Sequence, residues 1–408
     1  MKTRPSILLI TCWVLLLNGC FSEPEIRTAP EEVPIDTASS TPVSIITNTP
    51  SPTPEKECWE PDWQMVWANG HELRAIGEGP QDVFWFLSDS SLDRMSIKDE
   101  IYKFIEFSGI LHCDNCRDIV NGTLAISTSG EAWIGLSTGL LIVDKDGAWR
   151  QIDIDEVLPL ADKSLGLRVL LSDANGNIWV SNSNSICYFN GTDWNCHQID
   201  GLQEKITIAG VEHEKTAEII SAVSGQANQV WFGTKYGRVI LFNGNDYGVY
   251  NLSELTDFNS YIGSLAFDEK TGTLWALNTS GGSKDTIGVF RRSSDGNWET
   301  FKRDLFSSRP DQESFGQILK SIAVTHDGTV WLGMERGLAL VYYDGLDWKT
   351  LDGETLPVKL SYYSKRKLPN IDGCNFPDDY IVDILAAKNG NLIVGNQIFG
   401  FMYKWTEK

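Results

Sequence analysis

Positive charge is scarce in this chain. Its 408 residues carry 34 Lys and Arg against 55 Asp and Glu, a formal net charge of −21. Gripping a nucleic-acid backbone needs clustered basic side chains, so no nucleic-acid partner is expected. Long apolar runs are also missing. The run from Ile7 to Leu17 has 11 residues, too few at about 1.5 Å each to cross a hydrocarbon core roughly 30 Å thick. Histidine is sparse: His71, His112, His197, His213 and His326 are scattered, with no nucleophile motif and no metal-ligand spacing. No catalytic residue, no metal and no cofactor are therefore expected. What is plentiful is apolar residues at 42%, with 15 Trp and 36 Gly. That combination implies a sizeable core built from short strands and tight turns.

The first residues read as an address. A basic head, Met1-Lys2-Thr3-Arg4, precedes the apolar run, as in a secretory leader. Leu17-Asn18-Gly19-Cys20 follows, and it resembles the lipobox of bacterial lipoproteins. The resemblance implies a signal peptide at 1–19, lipidation of Cys20, and a membrane anchor carrying two or three acyl chains, enough for stable attachment. The expected location is the cell envelope, facing outside the cytoplasm. From 21 to 57, 18 of the 37 residues are Ser, Thr or Pro, ending in Thr49-Pro50-Ser51-Pro52-Thr53-Pro54. Such a segment cannot form a core; residues 20–57 are read as a disordered tether reaching on the order of 100 Å when extended.

From 58 to 408 one phrase recurs. A copy reads Asp327-Gly328-Thr329-Val330-Trp331-Leu332-Gly333, then Tyr343-Asp344-Gly345, then Asp347-Trp348. Another reads Asp173-Ala174-Asn175-Gly176-Asn177-Ile178-Trp179-Val180, then Asn190-Gly191, then Asp193-Trp194. The anchors are Trp85, Trp133, Trp179, Trp231, Trp275, Trp331 and Ile393, spaced 44 to 62 residues apart. A period of that length, built from strands and turns, marks a β-propeller. Each unit starts with an apolar inner strand, such as Ser321-Ile322-Ala323-Val324 or Ile384-Leu385-Ala386-Ala387. Asp, Asn and Gly turns separate it from the Trp strand, a third strand and an aromatic outer strand. Eleven of the 15 Trp fall in second or fourth strands, which predicts packing between blades rather than a ligand-stacking array. The expected fold is all-β: a seven-bladed propeller with four antiparallel strands per blade. The last unit lacks an outer strand, and Pro61-Asp62-Trp63-Gln64-Met65-Val66 matches the missing piece. Residues 59–68 are therefore predicted to complete the last blade and close the ring, which removes open sheet edges.

The turn–Trp–Gly phrase resembles the two-component-regulator propeller repeat, found in periplasmic sensor regions and in free-standing secreted proteins. It is less like the sialidase Asp-box, because the Asp-to-Trp distance varies between copies. Sensor chains of that family continue into a transmembrane helix and a kinase, whereas this sequence pairs its repeats with a lipobox. The streptogramin lyase is a similar-looking propeller that works through His and Glu; no counterpart of its motif is evident here.

Six cysteines remain once Cys12 of the leader and Cys20 are set aside. In an exported chain an even number favours disulfides. Cys187 and Cys196 flank the Asn190-Gly191 turn and are expected on adjacent strands of one hairpin. Cys58 and Cys374 flank the proposed closure and would lock the ring. Cys113 and Cys116 are expected to form a local loop disulfide, since neither a second metal-binding pair nor a haem-attachment order accompanies them.

The connections within each unit are short, while those between units are long, at 153–166, 200–215, 302–315 and 352–379. An enlarged turn, 278–287, adds to them. In a propeller these irregular segments share one rim, where binding resides. Among them Tyr362, Tyr363, Lys365 and Arg366 form a basic-aromatic cluster, the candidate ligand-binding residues. The expected function is non-catalytic binding of a carbohydrate, small molecule or envelope protein. The rivals are a lyase or hydrolase acting at the channel mouth, and an envelope-assembly scaffold.

Overall fold

A computed structural model describes residues 63–68, 72–97, 101–107, 119–158, 165–208, 211–244, 246–252, 260–280, 286–306, 318–335, 340–350, 381–396 and 399–403. The described strands form seven four-stranded antiparallel sheets and one two-stranded ribbon. In six sheets the four strands follow chain order. Their inner strands are Leu73–Gly79, Ile119–Ile126, Arg168–Ser172, Ile219–Ser224, Ile262–Asp268 and Ile318–Val324. The seventh sheet starts from Ile381–Ala386, continues through Leu392–Asn396 and Phe399–Tyr403, and takes its outer strand from Trp63–Ala68. That strand runs antiparallel to the last one, with Trp63 opposite Tyr403 and Ala68 opposite Phe399. Each inner strand contacts the next, and Ile381–Ala386 contacts Leu73–Gly79, so the series of sheets returns to its start. The architecture is a β-propeller of four-stranded antiparallel blades.

The repeated phrase has a physical role at each point. All six anchor Trp lie in second strands and are at most 3% exposed, which leaves no ring face for a ligand. They fill the seams between sheets. Trp133 of the second sheet meets Phe189 and Trp194 of the third, at 5.7 and 6.4 Å. Trp275 of the fifth meets Tyr343 and Trp348 of the sixth, at 5.4 and 6.0 Å. The Gly two residues after the anchor marks the closest approach of neighbouring strands. A Cβ on Gly233 would lie 2.2 Å from the Ile262 carbonyl oxygen, and one on Gly395 would lie 2.2 Å from Leu73.

Turn chemistry follows the same logic. Asp173 Oδ1 accepts the backbone N–H groups of Asn175 and Asn177 at 2.9 Å, and its Oδ2 accepts Trp179 Nε1 at 2.8 Å. The Asp173 side chain thus folds its turn, as Asx turns do, and ties it to the core through Trp179.

Cys187 and Cys196 are cross-strand partners and are joined as a disulfide. Cys20, Cys58, Cys113, Cys116 and Cys374 lie outside the described residues, as do the segments 1–19, 20–57 and 59–62. Among the described residues no helix is long and apolar enough to cross a membrane.

Candidate functional site at the loop-rich rim

Connections between first and second strands, and between third and fourth, hold three to five residues throughout. The connections between sheets range from four residues, at 69–72, to 30, at 351–380. All of these leave an outer strand and enter the next inner strand, so they share one end of the propeller with the turns joining second to third strands. Two of length were not singled out by the repeat spacing, 107–118 and 252–261. Two others contain structure of their own. Residues 153–157 form a turn of helix, with Asp153 and Glu156 as a reciprocal capping box. The connection after the third sheet, expected as loop, is largely a ribbon: Gln203–Ile208 pairs with Val211–Thr216, register Gln203 to Thr216.

The inner strands enclose an axial cavity of about 350 Å³. Every sheet contributes aliphatic residues, Ala75, Leu124, Val169, Leu265, Ile322 and Ile384 among them, and the last four sheets add the polar side chains Ser221, Ser264, Ser321 and Asp383. Asp383 is the one ionisable side chain among the described lining residues. Burial pushes its carboxyl up to about 6, against hydrogen bonds from Ser321 Oγ and the backbone N–H groups of Ile76 and Ile384 that favour the charged form.

At the loop-rich mouth of this cavity the strand ends carry charge and aromatic rings. Lys235 Nζ pairs with Glu218 Oε1 at 2.6 Å and sits 5.8 Å from the centre of the Tyr261 ring. Tyr261 is 36% exposed. Tyr236 holds the left-handed conformation, φ +64°, directly before Gly237 at +70°. A non-glycine residue there carries a conformational cost of about 1 kcal/mol, and its hydroxyl is raised in pKa by burial, with Tyr261 and Glu218 nearby. Lys320 pairs with Glu335 at 3.0 Å and Arg74 with Glu72 at 3.3 Å on other sheets of the same rim. A second cavity of about 330 Å³ lies beside the capping-box helix, lined by Thr138, Gln151, Asp153 and Glu156.

The sequence candidates Tyr362, Tyr363, Lys365 and Arg366 belong to the connection between the sixth and seventh sheets and lie outside the described residues. His71 and His112 do too. His197 is packed between Tyr188 and Phe242, ring centres 6.4 and 5.0 Å away, so it serves the core. His326 sits exposed in a tight turn at the opposite end. Among the described residues no group of three or more His, Cys, Asp or Glu is placed to hold a metal ion.

No protein-family model matches the chain, and no curated protein does. Solved structures resemble it in fold. Virginiamycin B lyase from Staphylococcus aureus superposes with a TM-score of 0.58 at 12% identity, over 84% of this chain and 98% of that one. The extracellular domain of a hybrid two-component system from B. thetaiotaomicron gives 0.55 at 15%, over 85% of this chain and 40% of that one. YCF48 bound to D1 peptide gives 0.55 at 14%, over 85% and 96%. At such identities the likeness defines the propeller class and leaves activity to be argued from the site.

Proposed function

We propose that this chain is an extracytoplasmic recognition protein. In this reading a seven-bladed ring is exported, anchored through a lipid on Cys20 and held off the membrane by the 20–57 tether. It binds a carbohydrate, small molecule or envelope protein through its loop-rich rim, without catalysis. The observation that carries the reading is the asymmetry of the two ends: uniform turns of three to five residues on one, connections of up to 30 on the other. A scaffold that keeps one end minimal and elaborates the other is displaying loops. The fold likeness to the extracellular domain of a two-component system and to YCF48 bound to a peptide supports it by analogy. The likeness to virginiamycin B lyase supports an enzyme instead. The described wall of the axial cavity offers a single ionisable group, Asp383, so an enzyme of this kind would draw its remaining acid–base groups from the rim, where Glu218, Lys235 and Tyr236 lie.

The test uses full-length protein in a thermal-shift and glycan-array screen, followed by titration of any hit. The combined variant Tyr362→Ala, Tyr363→Ala, Lys365→Ala, Arg366→Ala is expected to weaken binding about tenfold or more, roughly 1.4 kcal/mol. Affinity that is unmoved by it, and by Tyr261→Ala, but lost on changing Leu346 at the tight-turn end would place binding on the wrong face. Turnover of a bound ligand would favour the lyase reading. For the anchor, Cys20→Ala should shift the protein from the membrane to the soluble fraction; retention in the membrane would end that part.

A further inference from the structure

Three consecutive seams of the ring share one hydrogen-bond device. Just after a bulge, each inner strand presents an oxygen-bearing side chain toward the following sheet. Ser264 Oγ accepts the Ile322 N–H at 3.1 Å, and Ser321 Oγ accepts the Ile384 N–H at 3.2 Å. At the third seam, where the last sheet meets the first, the equivalent residue is Asp383, whose Oδ2 accepts the Ile76 N–H at 3.0 Å. The bulges fall one residue earlier each time: between Ile262 and Ser264, Leu319 and Ser321, Ile381 and Asp383. A hydroxyl suffices for this bond, yet at the seam joining the two ends of the chain a carboxyl stands in its place.

The surroundings serve both protonation states of that carboxyl. Ionised, it accepts three donors: Ile76 N–H, Ile384 N–H at 2.9 Å and Ser321 Oγ–H at 2.8 Å. Protonated on Oδ1, it can donate to Ser321 Oγ instead. The Ser321 hydroxyl then turns to the Ile384 carbonyl, 3.5 Å away, while the Ile384 N–H keeps its bond to Ser321 Oγ. Proton uptake from water therefore leaves no buried donor or acceptor without a partner. Asp383 lines the axial cavity and is intermediate in exposure.

A second carboxylate crosses the same seam. Glu78 accepts the Lys388 N–H with both oxygens, at 3.0 and 3.2 Å, and Asn389 Nδ2 donates to Asp82 Oδ1 at 3.0 Å. Burial raises the Glu78 carboxyl as well. The other charged groups on strands packed against Asp383 are engaged elsewhere: Arg74 with Glu72, and Lys320 with Glu335.

We propose that Asp383, assisted by Glu78, is a proton-operated latch that holds the last sheet to the first more firmly when neutral than when charged. The direction follows from linkage. A carboxyl at about 6 in the fold, against an ordinary 3.8, binds protons more tightly when folded. Its favourable contribution is complete below the ordinary value and is lost as pH rises through about 6. The shift corresponds to at most about a hundredfold in the folded-to-unfolded ratio, a ceiling that hydration from the cavity lowers.

The test compares full-length wild type, Asp383→Asn and Asp383→Ser by urea unfolding from about pH 3.5 to about pH 8. Wild type should lose stability relative to both variants across about pH 4 to 6 and run parallel to them above about pH 7, and Glu78→Gln should remove a smaller part. Curves for Asp383→Asn and Asp383→Ser that parallel wild type throughout would overturn the proposal. Should the variants not fold, wild-type amide exchange decides. Corrected for intrinsic rates, protection in Trp63–Ala68, Leu73–Gly79 and Ile381–Ala386 should fall with rising pH more than in Ile219–Ser224; a uniform change would refute the latch.

Discussion

Single residues explain why the repeat looks as it does. The anchor Trp is a seam filler, the Gly two places on admits the neighbouring strand, and the turn Asp satisfies backbone that would otherwise be orphaned. The Trp and Asp roles were legible in the sequence because the phrase that carries them recurs along the chain; the closeness of the strands at the Gly was not. Asp173 offers a direct check. Removing its carboxylate strips acceptors from two backbone N–H groups and from the buried Trp179 indole. Leaving such donors unmet costs about 1–3 kcal/mol. Asp173→Ala should lower the urea midpoint accordingly, while Asp173→Asn, which keeps one acceptor oxygen, should fall by less. Equal and negligible effects from both would show that water replaces the side chain freely. Asp383 was not legible in this way. In sequence it is one more acidic residue, and only its placement 2.8 Å from Ser321 and 3.0 Å from Ile76 gives it a role.

At the scale of elements, the recurring phrase identified the strands, and their burial follows position in the sheet: the second strands of the second to fifth sheets are buried at every position, while the outer strand Trp149–Asp153 is largely exposed. The third-to-fourth hairpin of the third sheet carries the disulfide between Cys187 and Cys196, nine residues apart. A loop that short limits the stabilisation to about 2–3 kcal/mol in the chain-entropy model. Reducing conditions should therefore lower the melting temperature of wild type by more than that of the Cys187→Ala, Cys196→Ala double variant, the difference being the share of this bond. A variant that remains as sensitive to reductant as wild type would locate the redox effect in another cysteine pair. The ribbon Gln203–Thr216 escaped sequence reading because a two-stranded insertion has no copy elsewhere in the repeat to be compared with.

Over the whole molecule, the join between the chain's two halves of the seventh sheet is the feature on which the ring depends. Trp63–Ala68 covers the edge of Phe399–Tyr403, and an uncovered edge strand is a template for association. Deleting residues 63–68 should lower the thermal midpoint and produce concentration-dependent association in light scattering. A monodisperse deletion variant with an unchanged midpoint would mean that the seventh sheet is stable with three strands. The two-ended design also belongs to this scale: the same ring that keeps one end uniform leaves the opposite end free to carry length.

The sequence by itself determined the repeating unit, its four strands, its turn residues and the displaced outer strand, because periodicity and turn propensity act over a few residues and recur in every copy. Only the tertiary structure decided which side chains meet across seams. Lys235 meets Tyr261, and Asp383 meets Ser321, because consecutive sheets pack face to face, and closure of the ring brings Asp383 to Ile76 across a separation of 307 residues. Burial then raises the Asp383 carboxyl, and neither spacing nor composition records how deeply a group is buried.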